Sequence, residues 1–248
     1  MPSRKKNDNP GKLKIRGGKN LAEEISNENI TEKFVIENPI KRQIRINQFP
    51  WTEKQKDFFK VALHPSTNIV FVNGPAGTSK TLLSVYCALQ MLNMKCISDI
   101  MYLRSAEEKL KFFNLPFLDK LDELLGEGKS EKLMNEKRVS MFPVNFARGM
   151  NWNGKCIILD EAQNSTLKEI TTVLTRMGKN SRCFILADPM QTDLKCENSK
   201  GGFQNMLKTF SDEESLQHGI YTFNFTEEDI MRSELVKFLV SKINKIKP

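Results

Sequence analysis

Residues 74–81 read GPAGTSKT. The spacing matches the phosphate-cradling loop G-x-x-x-x-G-K-[ST], with Lys80 and Thr81 in register and Ser79 in place of the second glycine. The alternative is an ordinary strand-to-helix turn, so the flanking sequence has to decide. NIVFVN (68–73) precedes it, a short apolar run suited to a strand buried on both faces. KTLLSVYCALQMLN follows with the length and pattern of a helix. In that setting the loop residues Pro75, Ala76, Gly77, Thr78, Ser79, Lys80 and Thr81 are expected to hold the nucleotide, their backbone N–H groups converging on phosphate oxygens from Ala76 onward, aided by the helix N-terminus. Gly74 and Gly77 are expected to supply unusual dihedrals and close approach. Ser79 is expected to take ordinary helical dihedrals, and so to be tolerated. Lys80 reaches the β- and γ-phosphates and the Thr81 hydroxyl reaches Mg²⁺.

A second element, CIILDEAQNS (156–165), ends an apolar run in two adjacent carboxylates. Acids that merely favour a helix N-terminus would explain it. A magnesium–nucleotide site instead needs one acid for the metal shell and another for water. Strand alternation separates the two directions, giving Asp160 to the metal and Glu161 to the attacking water as general base. A third element, ADPMQTD (187–193), follows another apolar strand. A plain turn accounts for Asp188 and Pro189; Gln191 is expected to sense the γ-phosphate or position the lytic water.

Outward from these motifs, strand-like runs alternate with helical ones. IMYLR (100–104), KCIILDEA (155–162), RCFILAD (182–188) and IYTFNF (220–225) read as strands. LDKLDELL (118–125), LKEITTVLTRMG (167–178), GGFQNMLKTF (201–210) and 229–246 read as helices. Thr52 with Gln55 three residues later marks the start of an earlier helix. FVIENPIKRQIRI (34–46) is either an edge strand or a clamp. Apolar strands alternating with helices predict a mainly parallel sheet covered on both faces. The expected organisation is a tail over 1–20, an extension over 21–49 and one α/β domain over 50–248.

The chain has 248 residues and a formal net charge of +8. Residues 1–20 carry seven cations against one aspartate, so only +2 remains for the rest. Such a start is expected to be disordered and either solubilising or a polyanion-binding arm. Five scattered cysteines without a C-x-x-C pair, and only two histidines, argue against a disulfide framework and a metal cluster. There is no apolar run of membrane-spanning length and no apolar stretch behind the charged N-terminus, which points to the cytoplasm.

Taken in order, GPAGTSKT, ILDEAQNS, LTRMG, DPMQTDL and DIMRSELV resemble the PhoH-like P-loop ATPases over roughly residues 50–245. The serine variant of the loop looks most like phage-borne members, which would place the protein in a host cytoplasm. Departures are Arg104-Ser105, where the family has arginine-proline, and Ala187, where it has glycine. The resemblance implies a RecA-like three-layer sandwich, similar to the core of superfamily-one helicases, and Mg-dependent ATP hydrolysis linked to RNA or DNA. Those enzymes read adenine with a glutamine ahead of the phosphate loop. Gln55 matches that placement, with Trp51 or Phe49 to stack on the base. Three arginines are candidates to meet charge growing on the γ-phosphate: Arg232 first, which resembles the family's C-terminal arginine, then Arg176 and Arg148. With a single lobe, the arginine would come from a neighbouring copy in a head-to-tail ring, a hexamer being one solution. A nucleotide-gated module with weak hydrolysis is the competing reading, and a small-molecule kinase a remote one, since it would carry an arginine-rich lid and lack DEAQ.

Overall fold

A computed structural model describes residues 36–105, 115–188, 191, 202–231 and 233–243. The tail over 1–20 and Arg232 lie outside them.

Six strands form one sheet: β1 (Ile69–Asn73), β2 (Asp99–Arg104), β3 (Val139–Pro143), β4 (Lys155–Leu159), β5 (Arg182–Ala187) and β6 (Ile220–Asn224). Their order across the sheet is β3-β2-β4-β5-β1-β6, and every pairing is parallel. Parallel pairing sends each crossover over a face of the sheet, which is why the strands read as apolar throughout. Alternate strand residues enter opposite cores. Val70, Val72, Ile100, Tyr102, Ile158, Phe184 and Leu186 pack on one side, against α1 (Glu53–Leu63), α2 (Lys80–Asn93) and α3 (Leu115–Leu125). Phe71, Leu103, Ile157, Leu159 and Ile185 pack on the other, against α5 (Leu167–Leu174) and α6 (Gly202–Thr209). The remaining helices are α4 (Lys129–Asn135), α7 (Glu213–Gln217) and α8 (Glu234–Ile243). The result is the three-layer α/β sandwich of a RecA-like P-loop fold.

Helix α1 begins where the sequence placed it. Thr52 Oγ1 accepts from the Gln55 N–H at 3.2 Å, and the Gln55 side chain accepts in return from the Thr52 N–H at 3.0 Å. The 34–46 stretch supplies no strand among its described residues. It acts as a clamp: Ile40 and Ile46 are buried, and the Asn93 side chain bonds both the N–H and the carbonyl of Ile44, at 2.7 and 2.8 Å. Two elements were not legible in the sequence, α4 and β3. β3 is an edge strand with an exposed Ser140 between buried ends, so it lacks the continuous apolar run that marked the others.

This strand order sets up the site. β5 lies between β4 and β1, so the loops leaving three adjacent strands meet at one carboxyl-terminal edge. Those loops are GPAGTSKT, DEAQN and the start of DPMQ. Ligands of open parallel sheets bind at such an edge.

Candidate functional site

At that edge lies a cavity of about 390 Å³. Ala76, Gly77, Ser79, Lys80, Thr81, Asp160, Glu161, Asp188 and Gln191 all line it. The phosphate-type loop, DEAQN and DPMQ motifs therefore contribute to one concavity.

The loop's two glycines do different work. Gly77 has φ +86°, the left-handed conformation for which glycine pays no steric cost. Gly74 has no such φ. A Cβ there would stand 2.7 Å from the Cβ of Phe225, so its role is close approach alone. Thr78 donates to the Pro75 carbonyl at 2.9 Å and is fully buried, which pins the loop's base. The expectation for Ser79 is overturned. Ser79 adopts φ +63°, ψ +22°, not helical dihedrals, and its side chain makes no capping bond. A left-handed residue bearing a Cβ costs roughly 1–2 kcal/mol. The serine has thus replaced a glycine at a position whose backbone still asks for one.

Lys80 Nζ donates to the carbonyls of Gly74 and Pro75, at 2.7 and 3.0 Å. Burial lowers its pKa, against the opposing pull of Asp188, Asp160 and Glu161. An ammonium held partly out of water beside three acids is suited to meeting phosphate charge. Thr81 Oγ1 donates to Asp160 Oδ2 at 2.9 Å. That oxygen also accepts from the Tyr102 hydroxyl at 2.9 Å, while Oδ1 accepts from the Glu161 N–H at 3.0 Å. The Asp160 N–H in turn donates to the Leu103 carbonyl at 2.9 Å, carrying the β2–β4 ladder one residue further. A hydroxyl and a carboxylate fixed together form a hard-oxygen pair that fits Mg²⁺ bound jointly with phosphates.

Glu161 sits at φ +53°, a left-handed non-glycine residue at the turn after β4. Burial, followed by the charge of Asp160, raises its pKa; the bond from Gln163 and the charges of Arg104 and Lys80 work the other way. Gln163 Nε2 donates to Glu161, and its Oε1 accepts from the Asp188 N–H at 3.0 Å. One buried glutamine thereby joins the loops after β4 and β5. Gln191 is held to Asp188 by its own N–H, at 3.0 Å to the Asp188 carbonyl.

The other expected residues are placed elsewhere. Gln55 is buried in its capping box and does not line the cavity. Trp51 packs edge-on to Phe59 and tilts against Phe49 and Tyr86. Arg176 follows α5 beside Trp152, whose N–H donates to its carbonyl at 2.9 Å, at the amino-terminal edge of the sheet. It is not brought to this cavity. Arg148 lines a different concavity, past β3. Arg232 is outside the described residues. Its neighbour Met231 donates its N–H to the Gly77 carbonyl at 2.9 Å and lines the cavity. Sequence reasoning missed Tyr102, Gln163 and the α3 pair Lys120–Glu123, which meet at 2.6 Å on the cavity wall. For Gln163 the signal was present in DEAQN. For Tyr102 and α3 none was, because only the sheet order brings them near Asp160.

Residues 49–244 match the family model for PhoH-like proteins. The chain is 29% identical over 235 residues to the PhoH-like protein of Bacillus subtilis, an alignment covering 88% of this chain and 69% of that protein. It is 31% identical over 203 residues to the PhoH-like protein of Synechocystis, covering 76% and 60% respectively. With Protein PhoH of Escherichia coli K12 it shares 30% identity over 186 residues, covering 68% of this chain and 51% of that one. The chain thus spans between half and about two thirds of the length of these relatives.

Proposed function

This chain belongs to the PhoH-like family, and from that membership and the cavity's make-up we propose that it binds Mg–ATP and hydrolyses it, in a cycle coupled to RNA. The observation that carries the reading is the convergence of Lys80, the Thr81–Asp160 pair, Glu161, Asp188 and Gln191 on one cavity. Three separate loops have no reason to aim those groups at one place unless something anionic and hydrolysable sits there.

The roles follow from charge and position. Backbone N–H groups of the loop and the Lys80 ammonium hold the phosphates. Thr81 and Asp160 would hold Mg²⁺, which supplies charge neutralisation on the transferring phosphoryl group. Glu161, with its raised pKa, removes the proton of the attacking water. Gln163 fixes the Glu161 carboxylate and ties it to the Asp188 backbone. Gln191, on the same wall, senses the γ-phosphate or positions that water.

Met231, which lines the cavity, is half exposed. Close by in sequence, α8 exposes Leu235, Phe238 and Leu239. An apolar face next to an open nucleotide site supports assembly with a second copy, which would cover the γ-phosphate and bring Arg232 or Arg176 in trans. A closed ring, hexameric or otherwise, is the arrangement such a heterologous contact favours.

Phosphate release from ATP and Mg²⁺, with and without single-stranded RNA, tests the proposal. RNA-stimulated release that is lost in Lys80→Ala supports it. ATP binding without release would instead favour the nucleotide-gated module.

A further inference from the structure

Asp160 accepts hydrogen bonds from three different elements. Thr81, at the start of α2, and Tyr102, in β2, both donate to Oδ2 at 2.9 Å, and the Glu161 N–H donates to Oδ1 at 3.0 Å. Asp160 is 6% exposed and lines the larger cavity. Thr81 and Glu161 line it too, in the loops that carry the phosphate and water roles. Tyr102 stands behind them, wholly buried in the core and outside the cavity lining.

Register explains why a tyrosine is needed there. Tyr102 is the partner of Ile158 across the β2–β4 ladder. Asp160 is two residues further along, on the face it shares with Ile158 by alternation, about 6.6 Å away. Serine or threonine at 102 would stop short of that carboxylate, whereas a phenol reaches it. The ring is fixed in turn by Phe117 of α3, stacked on it with centroids 4.3 Å apart and planes 18° apart. The next residue, Leu103, accepts from the Asp160 N–H through its carbonyl at 2.9 Å. Consecutive residues of β2 thus hold Asp160 by side chain and by backbone.

The choice of a phenol has a chemical consequence. A buried carboxylate can be satisfied by a cation or by neutral donors. A lysine or arginine at 102 would neutralise the charge that a divalent ion needs. A hydroxyl orients the carboxylate and leaves its charge in place. Burial raises the Tyr102 pKa well above the ordinary phenol value, so the group stays an O–H donor at neutral pH. A charged, fixed carboxylate beside the Thr81 hydroxyl is what a hard cation requires. Groups that orient a metal's ligands in this way typically govern its affinity ten- to a hundredfold.

We infer that Tyr102 is a positioning residue for the metal, its hydroxyl fixing the Asp160 carboxylate beside Thr81 so that the two receive Mg²⁺ together with the phosphates. The inference rests on the Mg–nucleotide part of the reading above, and not on hydrolysis or RNA. The test uses the full chain with ADP and Mn²⁺, a hard cation that stands in for Mg²⁺ and whose free-ion paramagnetic resonance signal falls on binding. Tyr102→Phe keeps the ring and its stack and removes the hydroxyl alone. It should weaken Mn²⁺ binding to the protein–ADP complex by roughly ten- to a hundredfold. Its affinity for ADP in EDTA should equal wild type. In phosphate release, the Mg²⁺ needed for half-maximal rate should rise, while the rate at saturating Mg²⁺ stays near wild type. Tyr86→Phe is the control: that hydroxyl donates to Gln48 at 3.4 Å, away from the cavity, and its loss should leave Mn²⁺ affinity unchanged. Wild-type Mn²⁺ affinity in Tyr102→Phe, even with a lowered melting temperature, would overturn the inference and leave Tyr102 a core residue only. A matching loss of ADP affinity in EDTA would overturn it as well, since the damage would then not be specific to the metal. A wild-type chain that binds ADP with Mn²⁺ but never releases phosphate from ATP defeats the hydrolysis reading and leaves this inference standing. A wild-type chain that takes up no Mn²⁺ in the presence of ADP overturns both.

Discussion

Two parts of the molecule put non-glycine residues into the left-handed conformation for opposite reasons. Lys95 and Lys137 do so just past the ends of α2 and α4, at φ +57° and +56°. There the cost is met locally. The Lys95 N–H donates to Leu92 O and the Cys96 N–H to Met91 O, and the Lys137 N–H donates to Met134 O and the Arg138 N–H to Leu133 O. These paired bonds satisfy the orphan carbonyls of a helix end. Ser79 and Glu161 have similar dihedrals, at φ +63° and +53°, but neither closes a helix end, and both line the cavity at the carboxyl-terminal edge of the sheet. A strained residue that closes no helix end and is kept in place by its surroundings is a candidate functional position.

The most damaging change to the cavity rim should be Lys80→Ala. Losing the only ammonium of the loop should cut Mg–ATP affinity and turnover by at least about a hundredfold, measured by titration and phosphate release. Glu161→Gln should be nearly as severe for turnover, about 10²–10⁴-fold, with ATP binding retained. Equal loss of binding in both variants would erase the division of labour between the two residues.

The pH profile sharpens the same point. A general base works only when deprotonated, and burial raises the Glu161 pKa. Turnover should therefore fall on acidification, with its inflection above the usual glutamate value, and Glu161→Gln should lack that limb. The sign for stability is opposite. A carboxyl with a raised folded pKa favours the native state when protonated and loses that advantage as pH rises through it. Removing the charge in Glu161→Gln should thus raise the melting temperature at neutral pH.

Smaller effects test the strain directly. Ser79→Gly should stabilise the free protein by about 1 kcal/mol, while Ser79→Ala, which keeps the Cβ, should not. If Ser79→Gly leaves both melting temperature and nucleotide affinity unchanged, the contrast with the helix ends fails. Lys95→Gly is the matching control. It relieves the same Cβ cost and should stabilise by a similar ~1 kcal/mol, but leave turnover untouched.

The phosphate loop was legible because its chemistry is local. Spacing within GPAGTSKT puts Lys80 and Thr81 one residue apart at a helix start, wherever the rest of the chain goes. The same holds for DEAQN at the end of an apolar strand, and for the Thr52–Gln55 capping box, whose partners stand three residues apart. Parallel strands were legible too, since burial on both faces leaves an unbroken apolar run. Sequence alone thus determined the family, the fold class and the chemical identity of the loop and its acid pair.

What it did not determine depended on contacts between distant residues. The dihedrals of Ser79 contradicted the sequence expectation because the loop's path is set by the whole strand–loop–helix unit, not by the residue that occupies it. Tyr102 reaches Asp160 only because β2 is hydrogen-bonded beside β4. Arg148, a further candidate after Arg232 and Arg176 in the linear sequence, lines a second cavity with Lys168, while Arg176 falls at the far edge of the sheet. Strand order made those assignments. It is fixed by which apolar faces pack best over the whole chain, a sum of many small burial terms that no short motif encodes.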